Sequence, residues 1–278
     1  MMGKEEIQEQ MMGAVRTVRE TNPMVGSITN TVTINLVANA QLAVGGSAAM
    51  VYLPDEGEVL AKTAGAMYIN VGTLLPVYEQ TLPHVAKVLH EIGRPWVLDP
   101  VAVGIGALRS KLLEQLKEYK PSIIRGNASE IIALAGLWGL AGGSSESNVR
   151  GVDSVDSVTS AKDAAVALAG WTGGAVAVSG KADFVTDGHT AALSEGGSYF
   201  MKRITGSGCS LGGVNAVYAA AASPFIAALT ATAVYNLAGS HAESKSDGPG
   251  SFQTVFLDEL YKADGEDIAG NPFKIEEV

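Results

Sequence analysis

Hydrophobic and polar positions follow a helical period at the start of the chain and then change character. Ile7, Met11, Val15 and Val18 recur every three or four positions with charged residues between them, which predicts an amphipathic outer helix over residues 4–20. From residue 66 onward, short apolar runs alternate with helical patterns. The predicted strands cover 66–71, 95–99, 122–124 and 175–178, and the predicted helices cover 75–90, 108–119, a segment opening near 127–130, and 159–171.

This alternation predicts a three-layer α/β/α fold, with a mainly parallel central sheet and helices on both faces. Residues 182–203 differ, because Asp187-Gly188 and Gly196-Gly197 break their apolar runs and predict antiparallel strands at one sheet edge. A polar connection covers 142–156, and two buried helices and an amphipathic helix over 252–261 close the fold. No Pro/Ser-rich linker divides the chain, so we predict a single domain over residues 1–278.

Two uncharged runs, 24–54 and 204–242, are each long enough to span a bilayer. Four amide side chains interrupt the first run, and Gly212, Gly213, Ser223 and Pro224 interrupt the second. We therefore expect both runs to form helices buried in protein and not membrane spans.

The net charge of the chain argues against some classes of binding partner. A net charge of −10 and a pI of about 4.9 argue against nucleic acid or an anionic membrane, since either requires a basic face. Cys209 is the only cysteine, which excludes an intramolecular disulfide framework and a cysteine-rich zinc site. The polar, acidic residues 3–10 do not resemble a signal peptide. We therefore expect a cytoplasmic protein.

The segment Ile204-Thr-Gly-Ser-Gly-Cys-Ser-Leu-Gly-Gly213 is a glycine-rich turn that leads into an alanine-rich helical pattern. Gly206 and Gly208 permit a positive φ and close approach of the backbone, and the helix that follows directs free N–H groups at the turn. This arrangement predicts an anion site suited to phosphate. Cys209 would lie in the first helical turn, where the helix field lowers a thiol pKa. The alternative is a tight turn without a ligand.

Asn35 and Asn39 lie four residues apart on one face of a predicted helix that ends at Gly45-Gly46. We expect this face to be buried, so both amides would need partners. They would either satisfy backbone groups or each other across a subunit contact, or form a polar stripe that faces a small heterocycle. We slightly favour the second interpretation.

Ligands of parallel α/β sheets bind at the carboxyl ends of the strands. In this chain, acidic, basic, hydroxyl and amide side chains follow the predicted strands and should share one crevice with the helix amino terminus after the glycine turn. Phosphoryl transfer with a nucleotide and a magnesium ion requires such a set. The segments concerned are 70–73, 99–101, 125–130, 179–183 and the turn ending at Cys209.

Taken in order, several short motifs resemble those of the hydroxyethylthiazole kinase family, within the ribokinase-like superfamily. The resemblance runs from about residue 24 to 259 through Ile28-Thr-Asn30, Asn35 with Ala38-Asn39, Asp99-Pro-Val101, Arg125-Gly-Asn with Ser129-Glu130, Thr205-Gly-Ser-Gly-Cys209 and Gly248-Pro-Gly-Ser-Phe252. It implies a ribokinase-like fold and transfer of the γ-phosphate of ATP to the primary hydroxyl of 5-(2-hydroxyethyl)-4-methylthiazole, in thiamine salvage. It also implies a homotrimer with active sites between neighbouring subunits.

The resemblance also implies roles for single residues. Arg125 would hold ATP phosphates, because a guanidinium offers paired donors to phosphate oxygens; the alternative is a surface ion pair. Glu130 would organise Mg²⁺, partly through water, or would serve only as a first-turn helix charge. Asp99 would be a second acidic group near the metal, or a turn residue. Ser179 and Gly180 stand where the family has Thr-Gly contacting the nucleotide, whereas we expect the nearby Lys181 and Asp183 to be surface charges.

Cys209 stands where most of the superfamily has an aspartate general base, so we expect it to contribute to catalysis without being essential. The amides of Gly206, Ser207 and Gly208 would stabilise the transferring charge. The resemblance makes Met50 a contact for the thiazole, although a methionine beside small residues is often plain core. Asn30 and Gly206 complete the predicted substrate site.

The chain departs from the family pattern at three places: Gly26-Ser27 replaces a frequent histidine, Ala102-Val103 follows Asp99-Pro-Val in place of glycine-rich sequence, and Ser179 replaces threonine. These departures bear on substrate preference and remove no charged catalytic group. Three alternatives to a thiazole kinase stay open. One is a kinase for hydroxymethylpyrimidine or pyridoxal, distinguished only by pocket shape. Another is an ADP- or ATP-dependent NAD(P)HX dehydratase, whose characteristic aspartate is here Cys209. The third is a protein that binds a nucleotide or vitamin without catalysis.

Overall fold

The computed structural model describes residues 2–144 and 158–278, which contain a nine-stranded sheet. Its spatial order is β2-β1-β3-β4-β5-β6-β7-β8-β9; β1 to β6 pair in parallel, and the last three pairings are antiparallel. The strands are β1 Met24–Ile28, β2 Ser47–Met50, β3 Ala66–Asn70, β4 Trp96–Asp99, β5 Ile123–Asn127, β6 Ala175–Ser179, β7 Asp183–Thr186, β8 Thr190–Ser194 and β9 Phe273–Glu277.

Helices cover both faces of this sheet, and alternate strand side chains point to one layer or the other. Tyr68 packs into the core on one side, for example, and Ile69 into the core on the other. The first layer contains α1 Lys4–Thr21, α2 Ile34–Ala43, α8 Ser207–Ala219, α9 Pro224–Glu243, α10 Pro249–Lys262 and α11 Gly265–Gly270; the second contains α3 Pro54–Thr63, α4 Tyr78–Glu91, α5 Ala107–Leu116, α6 Ala128–Leu137 and α7 Lys162–Thr172. The predicted three-layer α/β/α fold is confirmed.

Several elements were not predicted from the sequence. Strands β1 and β2 lie in the run 24–54, so the prediction that this run forms buried helices was wrong at both. The sequence SAAM of β2 has no β-branched residue, and Gly26 interrupts the short apolar sequence MVGSI of β1. Helices α3 and α11 and strand β9 were also missed. The antiparallel strands predicted within 182–203 are confirmed as β7 and β8. They lie towards one end of the sheet, but β9 pairs with β8, so the edge strand there is β9 and the predicted edge position was wrong.

The prediction of a buried face for Asn35 and Asn39 was also wrong. Asn35 is exposed and Asn39 is half-buried, and Asn39 Nδ2 donates to Asn35 Oδ1 at 3.0 Å. These amides therefore satisfy each other within α2. Most of the predicted polar connection over 142–156 lies outside the described residues. In the part of the chain that the structure describes, no helix is both long and apolar enough to cross a membrane.

Two glycines of α8 allow this helix to lie close to the sheet and to α2. A Cβ added to Gly212 would approach the Tyr68 ring to 2.5 Å, and one added to Gly213 would approach Val37 to 2.8 Å. Both contacts are shorter than van der Waals packing allows. The absence of side chains there brings the amino terminus of α8 over the carboxyl ends of the parallel strands.

Candidate active site

Four neighbouring parallel strands each supply a polar side chain, at or near the carboxyl end, to a common cluster. Asn70 ends β3, Asp99 ends β4 and Ser179 ends β6, whereas Arg125 lies inside β5. The sequence placed Arg125 after a strand ending at residue 124, and this boundary was wrong because β5 continues to Asn127. Pairing of Asn70 with Asp99 and of Asn127 with Ser179 aligns these strand ends at one edge of the sheet.

Asp99 is fully buried and lies among donors from two neighbouring strands. Tyr68 Oη donates to Asp99 Oδ2 at 2.8 Å, and the Asn70 amide nitrogen lies 3.0 Å from the same oxygen. Burial raises the pKa of Asp99, although Arg125 and these two donors oppose the shift. Burial and the Asp99 charge also raise the pKa of Tyr68 well above its ordinary value, so the phenol remains a donor.

Arg125 connects Asp99 to the amino terminus of α8. Its Nη1 lies 3.6 Å from Asp99 Oδ2, and its Nη2 donates to Ser179 Oγ at 3.0 Å. Only 7% of the residue is exposed, so it is not a surface ion pair. Burial would lower its pKa, but Asp99 and Glu130 reverse the effect and the net shift is upward. Arg125 therefore provides a permanent positive charge in the cluster.

Of the two glycines of the turn, Gly206 has the predicted positive φ, whereas Gly208 lies inside α8 without one. Gly206 has φ 92° and caps α8, whose first residue is Ser207. A Cβ on Gly206 would lie 2.8 Å from Thr33, and a Cβ on Gly208 would lie 2.7 and 2.9 Å from the two Nη atoms of Arg125. The guanidinium therefore occupies the space over the Gly208 backbone. The half-buried turn presents helix amides beside a buried cation, which is an arrangement suited to phosphate.

Cys209 lies in the first turn of α8, as predicted, and its sulfur contacts two side-chain amides. Asn70 Nδ2 is 3.4 Å from Sγ and Asn30 Nδ2 is 3.5 Å from it. The expectation of a lowered thiol pKa was wrong. Burial and the Asp99 charge raise the pKa of Cys209, and Thr33, Arg125 and Asn30 only partly offset this. The thiol is therefore a weaker general base than its position on the helix suggested.

Glu130 performs the structural role that was one of its two interpretations. It forms a capping box with Asn127 at the start of α6: Glu130 N donates to Asn127 Oδ1 and Asn127 N donates to Glu130 Oε2, both at 2.9 Å. Oε1 accepts from Ala102 N at 3.1 Å. Ala102 has φ 58°, in the left-handed region that favours glycine. Burial, with a contribution from Asp99, raises the pKa of Glu130 to about 7.

Asp99 and Glu130 fit a magnesium ion that is shared with phosphate ligands. Asp99 Oδ1 is buried and has no hydrogen-bond partner among the residues that the structure describes. Each Glu130 oxygen accepts one backbone N–H and retains a second lone pair. Within the described ranges no group of three or more His, Cys, Asp or Glu side chains could hold a metal. Mg²⁺ commonly needs only one or two carboxylates besides water and phosphate oxygens.

The remaining predicted residues lie at the same edge of the sheet, with mixed environments. Gly180 is exposed and its N–H donates to Asp183 Oδ1 at 2.8 Å. Lys181 is exposed as expected, but Asp183 is half-buried, and burial raises its pKa, so its prediction as a free surface charge was wrong. Met50 ends the edge strand β2 and is half-buried against the first-layer core.

Sequence reasoning gave no role to Tyr68 and none to Asn70 individually. Asn70 contacts Asp99, Cys209 and Asn30, and Tyr68 contacts Asp99. One available signal was that a tyrosine within a buried strand needs a partner for its hydroxyl. The pairing with Asp99 depends on neighbouring strands 31 residues apart in sequence, which no local pattern reveals.

The cluster can bind a polyanion and stabilise negative charge as it moves. A buried guanidinium, helix amides and two carboxylates converge on one edge of the sheet, as phosphoryl transfer requires. The amides around Cys209 provide further donors for a small polar substrate. This arrangement has no nucleophile activated by a base of the kind used in acyl transfer.

Comparisons with known proteins agree with this chemistry. A family model described as the hydroxyethylthiazole kinase family matches residues 15–266. The chain is 52% identical to a hydroxyethylthiazole kinase of Bifidobacterium longum (strain DJO10A), over 95% of this chain and 90% of that protein. It is 45% identical to one from Cereibacter sphaeroides (strain ATCC 17023), over 88% and 90% of the two chains.

The fold agrees as well. A hydroxyethylthiazole kinase structure from Pyrococcus horikoshii OT3 superposes with a TM-score of 0.85 and 30% identity, covering 97% of this chain and 99% of that one. A ribokinase-like superfamily protein from Enterococcus faecalis V583 shares the fold at a TM-score of 0.61 and 12% identity, over 95% and 96% of the chains. Sequence, fold and site together identify a phosphotransferase: the chain belongs to the hydroxyethylthiazole kinase family.

Proposed function

We propose that this kinase transfers the γ-phosphate of ATP to the primary hydroxyl of 5-(2-hydroxyethyl)-4-methylthiazole, a step of thiamine salvage. The observation that carries the proposal is the Arg125 guanidinium, which lies against Gly208 at the amino terminus of α8 and beside Asp99. Family membership supports the thiazole as acceptor. The relatives support the choice of the thiazole as substrate, and the geometry of this site supports the transfer of phosphate.

In this proposal Arg125 and the amides of Gly206, Ser207 and Gly208 bind the phosphates, with Ser179 and Gly180 next to the nucleotide. Arg125 counters charge that develops on the transferring group, while Ser179 Oγ fixes the guanidinium by accepting from Nη2. Asn30, Met50 and Gly206 would contact the thiazole. Cys209 would position its hydroxyl. This role needs no deprotonation of the thiol, which agrees with the raised pKa of Cys209.

Asp99 and Glu130 would hold Mg²⁺, partly through water. When bound, such an ion neutralises charge on the nucleotide phosphates. The buried Asp99 Oδ1 without a partner among the described residues supports this role. Burial is the main cause of the raised pKa of Glu130, and the Asp99 charge adds to it; a bound cation would offset both, which supports this role.

We also propose a homotrimer, as the family resemblance implies, with one interface along β2. This edge strand is half-exposed at all four residues. Large apolar side chains are exposed on the segments before and after it: Val32 63%, Leu42 53%, Leu53 48% and Val59 60%. Apolar exposure beside an unpaired strand edge is typical of a protein interface. Met50 would then lie where a neighbouring subunit could complete the thiazole pocket.

We further infer that residues 1–278 form one kinase domain in the cytoplasm. A sheet that extends from β1 near the amino terminus to β9 near the carboxyl terminus supports the single domain. The lone free cysteine supports a reducing compartment.

The test is ADP release from MgATP by the purified protein, with mass detection of products. The acceptors to compare are hydroxyethylthiazole, hydroxymethylpyrimidine, pyridoxal and none. We expect thiazole phosphate as the dominant product. If another alcohol is the dominant product, that alcohol and not the thiazole is the substrate. ATP binding without any phosphorylated acceptor would favour an NAD(P)HX dehydratase or a binding protein. Light scattering of the same preparation tests the trimer.

A further inference from the structure

Arg109 on α5 binds two loops that border the active site. Its Nε donates to the carbonyl of Val71 at 2.9 Å, Nη2 donates to the carbonyl of Gly72, and Nη1 donates to the carbonyl of Ile105 at 2.5 Å. Within the described ranges Arg109 has no ion pair, so its recorded partners are backbone carbonyls. A planar guanidinium carries its donors on three separate nitrogens in fixed directions, whereas the three donors of an ammonium group share a single nitrogen.

The carbonyls of Val71 and Gly72 belong to the turn that immediately follows Asn70. Gly72 N donates back to Asn70 Oδ1 at 2.9 Å. A Cβ on Gly72 would lie 2.8 Å from Asn70 Oδ1 and 2.9 Å from Asn30 Nδ2. The turn therefore packs directly on the two amides that contact the Cys209 sulfur, and a shift of the turn would move them.

The orientation of the Asn70 amide depends on this turn. Its oxygen accepts from Gly72 N and from Asn30 Nδ2 at 3.0 Å, which leaves its nitrogen facing Asp99 Oδ2 and Cys209 Sγ. If the amide rotated by half a turn, its oxygen would face the Asp99 carboxylate, and two acceptors would oppose each other. Gly72 N thus selects the donor orientation that the cluster needs.

The third carbonyl anchors the other loop. Ile105 lies between Gly104 and Gly106, whose φ angles of 87° and 84° are in the left-handed region. This loop joins β4, which ends at Asp99, to α5. Arg109 therefore ties the segment after Asn70 to the segment after Asp99, and both segments leave the sheet at the active site.

We propose that Arg109 is a positioning residue of this kinase, which acts through Gly72 and Asn70 to hold the donors that face Asp99 and Cys209. The role of Arg109 in phosphoryl transfer rests on the proposed function. The contacts that lead from Arg109 through Gly72 to Asn70 do not depend on that function. Arg109 touches none of the groups assigned to the nucleotide or the thiazole. Its loss should therefore impair turnover more than substrate binding.

The experiment compares wild type, R109K, N70A and the double variant. Lysine keeps the charge and the aliphatic stem but cannot span both loops. We expect R109K to lower kcat by about tenfold or more and to change the KM values by less than about threefold. The double variant should be no slower than the slower single variant, because both changes break the same path. Multiplicative losses, or a wild-type kcat in R109K, would overturn the proposal.

A second readout does not need turnover. Cys209 is the only cysteine, so alkylation by iodoacetamide, followed by intact mass, reports on it alone. Loosening of the two amides should raise the alkylation rate of R109K and N70A by about threefold or more, with no further rise in the double variant. An unchanged rate in folded R109K overturns the proposal. If the wild type is inactive but R109K is alkylated faster than the wild type, only the thiazole kinase function is overturned and the positioning role of Arg109 stands.

Arg94→Lys is the matched control. Arg94 also donates to a backbone carbonyl, that of Lys62 at 3.3 Å, but it precedes β4 at the opposite edge of the sheet. We expect R94K to match wild type in kcat and in the alkylation rate. Equal effects of R94K and R109K would mean a general structural disturbance and would overturn the positioning role. If N70A does not fold, the comparison of R109K with R94K in kcat and alkylation rate still tests the proposal.

Discussion

Replacing Gly208 by alanine tests the contact between the glycine turn and Arg125. The added Cβ would lie 2.7 Å from Nη1 and 2.9 Å from Nη2, whereas ordinary van der Waals contact begins near 3.4 Å. The guanidinium would have to retreat by about 0.7 Å. This movement is opposed by the hydrogen bond to Ser179 Oγ and by the Asp99 carboxylate 3.6 Å away.

The expected cost falls on the reaction and not on folding. A misplacement of about 1 Å can cost about 100-fold in rate, so we expect a 10- to 100-fold loss of kcat/KM for ATP, or about 1.4 to 3 kcal/mol of transition-state stabilisation. Alanine is favoured over glycine in a helix by about 1 kcal/mol. This gain should offset much of the strain, and the free energy of unfolding should change by less than about 1 kcal/mol.

The assay is steady-state ADP release with thiazole as acceptor, together with urea unfolding of the same samples. Gly13→Ala is the matched control, because Gly13 lies inside α1 and an added Cβ has no neighbour within 4 Å. G13A should gain about 0.5 to 1 kcal/mol of stability and keep full activity. A folded G208A with wild-type kcat/KM for ATP would refute the role assigned to the contact between Gly208 and Arg125.

Three further variants test single residues. Arg125→Ala should reduce turnover at least about tenfold, above about 1.4 kcal/mol, in the same ADP assay; unchanged kinetics would remove Arg125 from the site. Cys209→Ser should slow the reaction without abolishing it, because the sulfur mainly positions the substrate, and complete loss in a folded protein would make the thiol essential. Glu130→Gln should remove a pH dependence of stability. Since the folded pKa of Glu130, about 7, lies above its ordinary value of 4.5, its stabilising contribution is complete below about pH 4.5 and is lost as pH rises through 7, by up to about 3 kcal/mol. The difference in unfolding free energy between wild type and E130Q without magnesium should follow this window, and a flat difference would contradict the burial argument.

Family patterns and local motifs predicted most of the polar residues of the site. Arg125, Asp99, Ser179 and Cys209 were predicted to converge, and they lie within one contact network. Their convergence was predictable because parallel strands end at the same edge. The roles of Tyr68 and Asn70 were not predictable, since each depends on which strand lies next to β3 and on the rotamers chosen there.

Environment also changed the chemistry of correctly placed residues. The position of Cys209 at a helix start suggested a lowered pKa, but burial and Asp99 raise it. Desolvation depends on all the atoms around a group, so a local sequence motif cannot report it. Glu130 likewise serves α6 as a capping residue, and its further contact with the backbone of Ala102 depends on the packing of two distant segments.

The sequence by itself determined the alternation of strands and helices, the glycine turn before α8, and the charged residues at the strand ends. Hydrophobic period and backbone restrictions act over a few residues, so they can be recognised along the chain. The tertiary structure alone decided that β1, β2 and β9 belong to the sheet, that Arg109 ties two loops, and that the Cys209 thiol pKa is raised. These features depend on contacts between residues far apart in sequence, and burial fixes their energies only after the layers have packed.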